Sequence, residues 1–581
     1  MLLYGDAERL EDPRAKLAAV RARLAAAGQG EGLARHVVLV AALIEAGELA
    51  QGLADAEFDA RGCDARSPRQ DAAMGLCLKL ARAVRASWTS AFAARPELPL
   101  GEAADLEPRL DGEAIRTRLA EGYAFYALYP EAYLEAALGL GRAPDAVIVG
   151  IRSIGAGLAA MVAAGLEAGA AVTVRPVGHP FRRRLRLAPA LGAELGRPAS
   201  LYAVVDEGPG LSGSSFGAAV DALQEAGAPP SRIRLFPSHR GPPGPRADPD
   251  LLRRWPSLQR RVIEADELIL RSADPQRRLE RWAAALVGEP EAPLQDLSAG
   301  AWRGRLYADE AAWPAVLAGQ ERRKFLMRTA AGPWLLKFAG LGAEGERKLE
   351  RARALHGAGF GPQTAGLAHG FLVQRWIEDA KPLDLARGRP PGLLRRLGDY
   401  LGFLARRFPA SGGGASPGRL LEMARVNAEE VLGSWAAGRL RSWEGRLAAL
   451  EPSLRPVDID GRLHAWEWLA GPGGRLVKTD ALDHHCAHDL VGRQDIGWDV
   501  AGAAVELGLS DEEAAALSVQ AGAAAGRRLD GEALAFLRLA YLAFQLGRCV
   551  EGARASEGRP SEAERLERAG KAYAAQLRER L

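Results

Sequence analysis

Cysteine is scarce in this chain: four residues in 581, Cys63, Cys77, Cys486 and Cys549, with no CxxC pair. Such spacing excludes a disulfide framework and fits a reducing, cytoplasmic setting. Neither sign of charge prevails. Lys and Arg number 76 against 73 Asp and Glu, a net charge of +3 with no basic tail, so nucleic acid is not an expected partner. No uncharged apolar stretch approaches the roughly 20 residues that span a bilayer. The N-terminus carries charge from Asp6 onward and lacks the apolar core of a signal segment. The expectation is a soluble protein acting on small molecules, with no membrane and with a homodimer left open. Histidine is also rare, nine residues, which makes any cluster informative.

What is present divides the chain, which is too long for one core. Residues 1–118 read as helical, with Leu17, Val20, Leu24 and then Val37 through Leu43 at helical spacing. Glu48, Gln51, Asp55 and Asp59 share one helical face there, suited to a metal or a substrate amine, or simply solvated. Residues 119–245 alternate strand and helix. Strands are expected at Val147–Gly150, Ala171–Val174, Leu201–Val205 and Ile233–Phe236, which implies a parallel sheet with ligands at the strand C-termini. Residues 246–295 form a helical connector and residues 296–581 the last unit. The fold class is therefore multidomain, α/β and α+β.

The most telling stretch is Asp206-Glu207-Gly208-Pro209-Gly210-Leu211-Ser212-Gly213-Ser214-Ser215, after the apolar run Leu201–Val205 and before a helical run. Loop amides and a helix N-terminus present partial positive charge to a phosphate. Gly210 and Gly213 permit positive φ, and Ser212, Ser214 and Ser215 add hydroxyl donors. The carboxylates of Asp206 and Glu207 suit ribose hydroxyls or water-bridged Mg²⁺. This stretch resembles the ribose-phosphate loop of type I phosphoribosyltransferases, departing from it at Gly208-Pro209-Gly210-Leu211. The resemblance implies that phosphoribosyl pyrophosphate is the substrate. It implies that Arg152, in Gly150-Ile151-Arg152-Ser153, serves the pyrophosphate loop, and that the basic run Arg182-Arg183-Arg184 belongs to a mobile flap in which Arg183 faces the reacting centre. The aromatic cluster Tyr123–Tyr129 is either a hood over a planar acceptor or ordinary packing.

The last unit carries a second pattern. Lys337 lies in Trp334-Leu335-Leu336-Lys337-Phe338. A helix begins near Glu344, Phe371–Glu378 is a further apolar run, and Asp460, Arg462, Glu467 and Asp480 follow. The pattern resembles the aminoglycoside phosphotransferase-like kinases. That resemblance implies ATP and Mg²⁺ as ligands, Lys337 on the phosphates, Glu346 or Glu350 pairing Lys337, a hinge with Gln374 and Trp376 at the adenine, and Asp480 and Glu467 on the metal. The family's aspartate base falls on Arg462, which cannot accept a proton; Asp460, two residues earlier, is the substitute. His484, His485 and His488 cluster nearby, and on a helix His484 and His488 would share a face as zinc ligands do.

The leading expectation is a phosphoribosyltransferase fused to an ATP-binding, kinase-like unit of the same pathway. One alternative is a regulator that senses nucleotide or phosphoribosyl pyrophosphate through an impaired kinase-like unit. The other is a small-molecule kinase whose front half is scaffolding.

Overall fold

The computed structural model describes residues 8–245, 247–412, 414–486, 491–556 and 558–581. A short strand, Glu8–Glu11, paired antiparallel with Ile115–Arg118, departs from the helical expectation for residues 1–118; between the two strands lie three long helices, α1 (Pro13–Gln29), α2 (Gly32–Arg61) and α3 (Pro68–Thr89). Asp12 and Ser67 cap α1 and α3 through their side chains, each ahead of a proline in the first turn, the arrangement that satisfies a free amide and pre-sets φ. Helix α2 is apolar nearly all round because it is enclosed nearly all round. It and Gly531–Ala555 are long and apolar enough to cross a membrane, and 78% of each apolar window is buried inside the molecule.

A parallel sheet follows. Its strands are β1 (Val147–Ile151), β2 (Val172–Val174), β5 (Tyr202–Val205) and β6 (Ile233–Phe236), in the order β2-β1-β5-β6. Between β2 and β5 lies a two-stranded hairpin, β3 (Val177–His179) with β4 (Arg182–Arg184). Continuous apolar runs such as Val147–Ile151 are buried on both faces, as a parallel sheet requires. One face is covered by α4 (Gly155–Leu166), which α2 and α3 flank. The other is covered by α5 (Ser214–Glu225).

The last unit starts with an antiparallel five-stranded sheet, β10-β11-β9-β8-β7. Its strands are β7 (Gln295–Asp296), β8 (Lys324–Thr329), β9 (Gly332–Phe338), β10 (Thr364–Ala368) and β11 (Phe371–Arg375), with helix α6 (Gly342–Gly357) between β9 and β10. Helices α7 (Leu393–Arg407), α8 (Gly497–Glu506), α9 (Gly531–Ala555) and α10 (Pro560–Arg580) build the lower lobe. Strands β12 (Trp468–Ala470) and β13 (Leu476–Lys478) pair at its rim.

These parts share their interior. One hydrophobic core runs from Leu39 and Leu43 of α2 through Leu158 of α4 to Phe338 and Phe371 of the antiparallel sheet. At its centre Glu131 Oε1 lies 2.8 Å from His36 Nε2 and 2.7 Å from His369 Nε2, all three fully buried. Burial raises the Glu131 carboxyl, but both histidines reverse that and hold it well below the usual carboxylate range. Three of the four residues on the acidic face of α2 are tied to other side chains or backbone of the protein, and are neither solvated nor offered to a ligand. Glu48 pairs with Lys16 at 2.6 Å, Gln51 bonds Arg116 O, and Asp55 pairs with Arg152 at 2.9 Å; Asp59 alone of the four is exposed.

Candidate functional site

Two cavities meet the sequence-derived residues. The first, about 610 Å³, opens at the C-terminal end of β5. Asp206 and Glu207 sit there because the strand ends as the chain turns toward α5. Gly213, at φ +59°, makes that turn, and a Cβ on it would come within 2.6 Å of Pro243. Gly122 presses equally close to Glu207: its amide donates to Glu207 Oε2 at 3.2 Å, and a Cβ there would meet the carboxyl carbon at 2.8 Å. Asp206 has no cation within ion-pair distance among the described residues, and burial pushes its carboxyl up to about 7.

Asp206, Glu207, Gly210, Ser215, Arg183 and Arg152 all reach this cavity wall. Ser212, Gly213 and Ser214 do not. Ser212 and Ser214 bond each other at 3.0 Å, and the Ser214 hydroxyl donates to Pro180 O at 2.5 Å in the hairpin turn. Arg183 reaches Ser215 Oγ at 3.4 Å, so the basic hairpin lies over the loop. Arg152 departs from expectation. Its guanidinium has no exposed area and is held by Asp55, Asp64 and Thr173, so it ties α2 to the sheet instead of facing a ligand. Of the aromatic cluster, Tyr123, Phe125 and Tyr129 are buried, and Tyr126 is 38% exposed at the cavity rim.

The second cavity, about 200 Å³, lies between the antiparallel sheet and the lower lobe. Lys337 on β9 and Asp480 just beyond β13, 143 residues apart, meet at 2.5 Å through Nζ and Oδ1. Glu467, Gln374 and Trp376 line the same cleft. Burial raises Asp480, yet Lys337 and then His484 outweigh it and hold the carboxyl well below its ordinary value.

Beneath the floor lies Lys478, which sequence reasoning missed. Its buried ammonium is 2.6 Å from Glu467 Oε2 and 3.3 Å from Asp460 Oδ2, and it also donates to Asp480 O. Burial lowers Lys478, but Asp460, Glu467 and Asp480 raise it above the usual lysine value. The signal was there: a lysine within Leu476-Val477-Lys478 is buried only if paired. For metal, Asp480 Oδ2 accepts no hydrogen bond among the described residues, and Asp480, Glu467 and His484 each bring one donor atom within 4.8 Å of the others, a set that fits one Mg²⁺ although Glu467 also has the Lys478 ammonium beside it.

Two further expectations change. Glu346 does not pair with Lys337: it points out from α6 to Arg23, at 2.5 and 2.7 Å, and Glu350 is exposed beside Arg407. The inward face of α6 instead carries Lys348 and Arg351. Lys348 donates to Ala124 O at 3.0 Å and lies 3.4 Å from Asp483, and Arg351 donates to the carbonyls of Ala481, Asp458 and Ile459. Asp460 is no base for a substrate in the cleft. It is fully buried, accepts from Tyr400 OH at 2.6 Å, and is braced through its own amide by Asp499. His484 lies in a turn, not a helix, and bonds Asp460 O at 2.9 Å; His485 is near Asp458, and His488 lies outside the described residues.

No protein-family model matches the chain, and no curated protein matches it. Solved structures align with part of it. A choline kinase from Streptococcus pneumoniae is 18% identical over 43% of this chain and 89% of its own, with a TM-score of 0.30. A glucosamine kinase in complex with glucosamine, ADP and inorganic phosphate is 18% identical over 53% and 84%, with a TM-score of 0.31. A putative aminoglycoside phosphotransferase from Ralstonia eutropha is 13% identical over 52% and 97%, with a TM-score of 0.32.

Proposed function

We propose that residues 296–581 form an ATP-dependent phosphotransferase acting on a small molecule. The observation that carries this reading is the meeting of Lys337 and Asp480 in one cleft, below a strand that brings Gln374 and Trp376 to its mouth. Leu335, Trp376, Ile377 and Leu469 supply apolar walls for a base ring. Lys337 is placed to leave Asp480 for the phosphate oxygens when nucleotide enters. Mg²⁺ held by Asp480 would neutralise the phosphate chain and the charge that develops on transfer. Arg351 and Asp499 fix the loop backbone, so the acidic groups need not reorganise as phosphate arrives.

The test is calorimetric titration of the full chain with ADP and Mg²⁺. Asp480→Asn is expected to weaken binding at least 100-fold, about 2.7 kcal/mol. Equal affinity in wild type and variant would overturn the reading.

A second activity is favoured by the first cavity, where the arginine hairpin closes over a loop bearing an acid with no cation at ion-pair distance among the described residues. It reads as a site for phosphoribosyl pyrophosphate with Mg²⁺, Asp206 and Glu207 at the ribose and Arg183 at the departing pyrophosphate. Pyrophosphate release from phosphoribosyl pyrophosphate, supplied with pooled small metabolites and lost in Glu207→Gln, is the expected result.

A further inference from the structure

Phosphate transfer to a hydroxyl needs a group that takes the proton. Among the described residues the nucleotide cleft has none to spare. Glu321 accepts from Gly300 N at 2.7 Å and Trp302 Nε1 at 2.9 Å, with Lys324 at 3.4 Å. Glu467 is held by Lys478 and Asp480 by Lys337. Asp460 is sealed beneath the floor. His464 lines the cleft but is 6% exposed, its Nε2 is turned to Glu506 Oε2 at 3.5 Å, and burial, then Arg462 and Arg548, hold it well below the usual histidine value.

Cationic groups are placed where the base is missing. Among the described residues Arg462 lines the cleft with no carboxylate within ion-pair distance, and its Nε is enclosed by protein without a hydrogen-bond partner. Arg548 of α9 lines the same wall, 8% exposed. Guanidinium groups at an acceptor position suit planar, bidentate recognition of an oxyanion.

We propose that the acceptor is an oxyanion, a carboxylate or a phosphate, which Arg462 and Arg548 bind and which is phosphorylated with no general base. The inference rests on the ATP reading above. A deprotonated acceptor oxygen attacks the γ-phosphorus and forms the new P–O bond. The bond from that phosphorus to the β–γ bridging oxygen breaks, ADP leaves with the electron pair, and no proton moves. The product is an acyl phosphate or a diphosphate. Arg462 offsets the repulsion between two anions and orients the attacking oxygen.

The experiment uses the full chain saturated with Mg²⁺ and a non-hydrolysable ATP analogue, titrated separately with inorganic phosphate, acetate, choline and glucosamine. Inorganic phosphate or acetate is expected to bind, and choline and glucosamine are not. Arg462→Gln is expected to weaken the anion at least tenfold and Arg462→Lys to recover part of that loss, with the analogue's affinity within twofold of wild type in both. Preference for inorganic phosphate assigns a phosphate acceptor; preference for acetate assigns a carboxylate. Choline or glucosamine binding, no anion binding, or anion binding indifferent to Arg462→Gln overturns the proposal and leaves the nucleotide reading standing. Failure of the wild type to bind the analogue overturns both.

Discussion

The two cavities handle buried acid in opposite ways. In the cleft under the antiparallel sheet every carboxylate has a cation in reach, Lys337 for Asp480 and Lys478 shared by Glu467 and Asp460, although burial still raises Glu467 above its ordinary value. At the end of β5, Asp206 has none within ion-pair distance among the described residues and is pushed up to about 7 by burial. A cation supplied by the chain makes a site that is charge-balanced before its ligand arrives. An acid without one makes a site whose charge balance waits for an incoming metal or proton. The cleft is thus paid for in folding, and the β5 cavity is left strained toward a cationic or Mg²⁺-bearing ligand.

The sharpest way to break this contrast is Lys478→Met. Removing the ammonium strands two buried carboxylates, and the expected cost is about 3–5 kcal/mol, read as a lower midpoint in denaturant. Adding Glu467→Gln should restore part of the loss; a Lys478→Met protein as stable as wild type would mean that the cluster is not balanced as described.

Asp206→Asn should act in the other direction. The folded carboxyl titrates at about 7, above its ordinary 3.8, so the fold favours the neutral form. Below about pH 4 the group is protonated in both folded and unfolded chains and contributes nothing. As pH rises from 4 to 7 the unfolded chain ionises first, and stability falls by up to about 4 kcal/mol. Asparagine should remove that slope and stabilise the protein at pH 8. Denaturant midpoints at pH 5 and pH 8 with the same difference in both proteins would refute it. Mg²⁺ at pH 8 should stabilise wild type more than the variant.

The smallest change is expected from Arg183→Gln. The side chain is exposed on β4, so stability should shift by no more than about 0.5 kcal/mol. Binding of phosphoribosyl pyrophosphate should weaken several-fold, and unaltered binding would separate the hairpin from the ligand.

Much of this was legible from local pattern. Ile233–Phe236 and the strand carrying Lys337 stand where apolar runs placed them, because such runs are self-contained signals. Glu346 was misassigned although its phase was readable: Lys348, Ala352 and Leu355 mark the buried face of α6, and Glu346 falls on the opposite side. Arg152 was not readable. Its partners Asp55 and Asp64 lie 97 and 88 residues away on a helical layer whose docking no local rule gives. Asp460 failed for a related reason: Tyr400, from a helix 60 residues upstream, seals it.

The short turn Glu121–Phe125 belongs to both halves of the molecule. Its Gly122 amide holds Glu207, and its Ala124 carbonyl holds Lys348, which in turn steadies Asp483 three residues past Asp480. Cutting the gene between the two sheets would leave Gly122 with Glu207 but take the Ala124 acceptor away from Lys348, besides opening the shared interior. Neither half is a detachable module, and each fragment is expected to aggregate where the intact polypeptide does not.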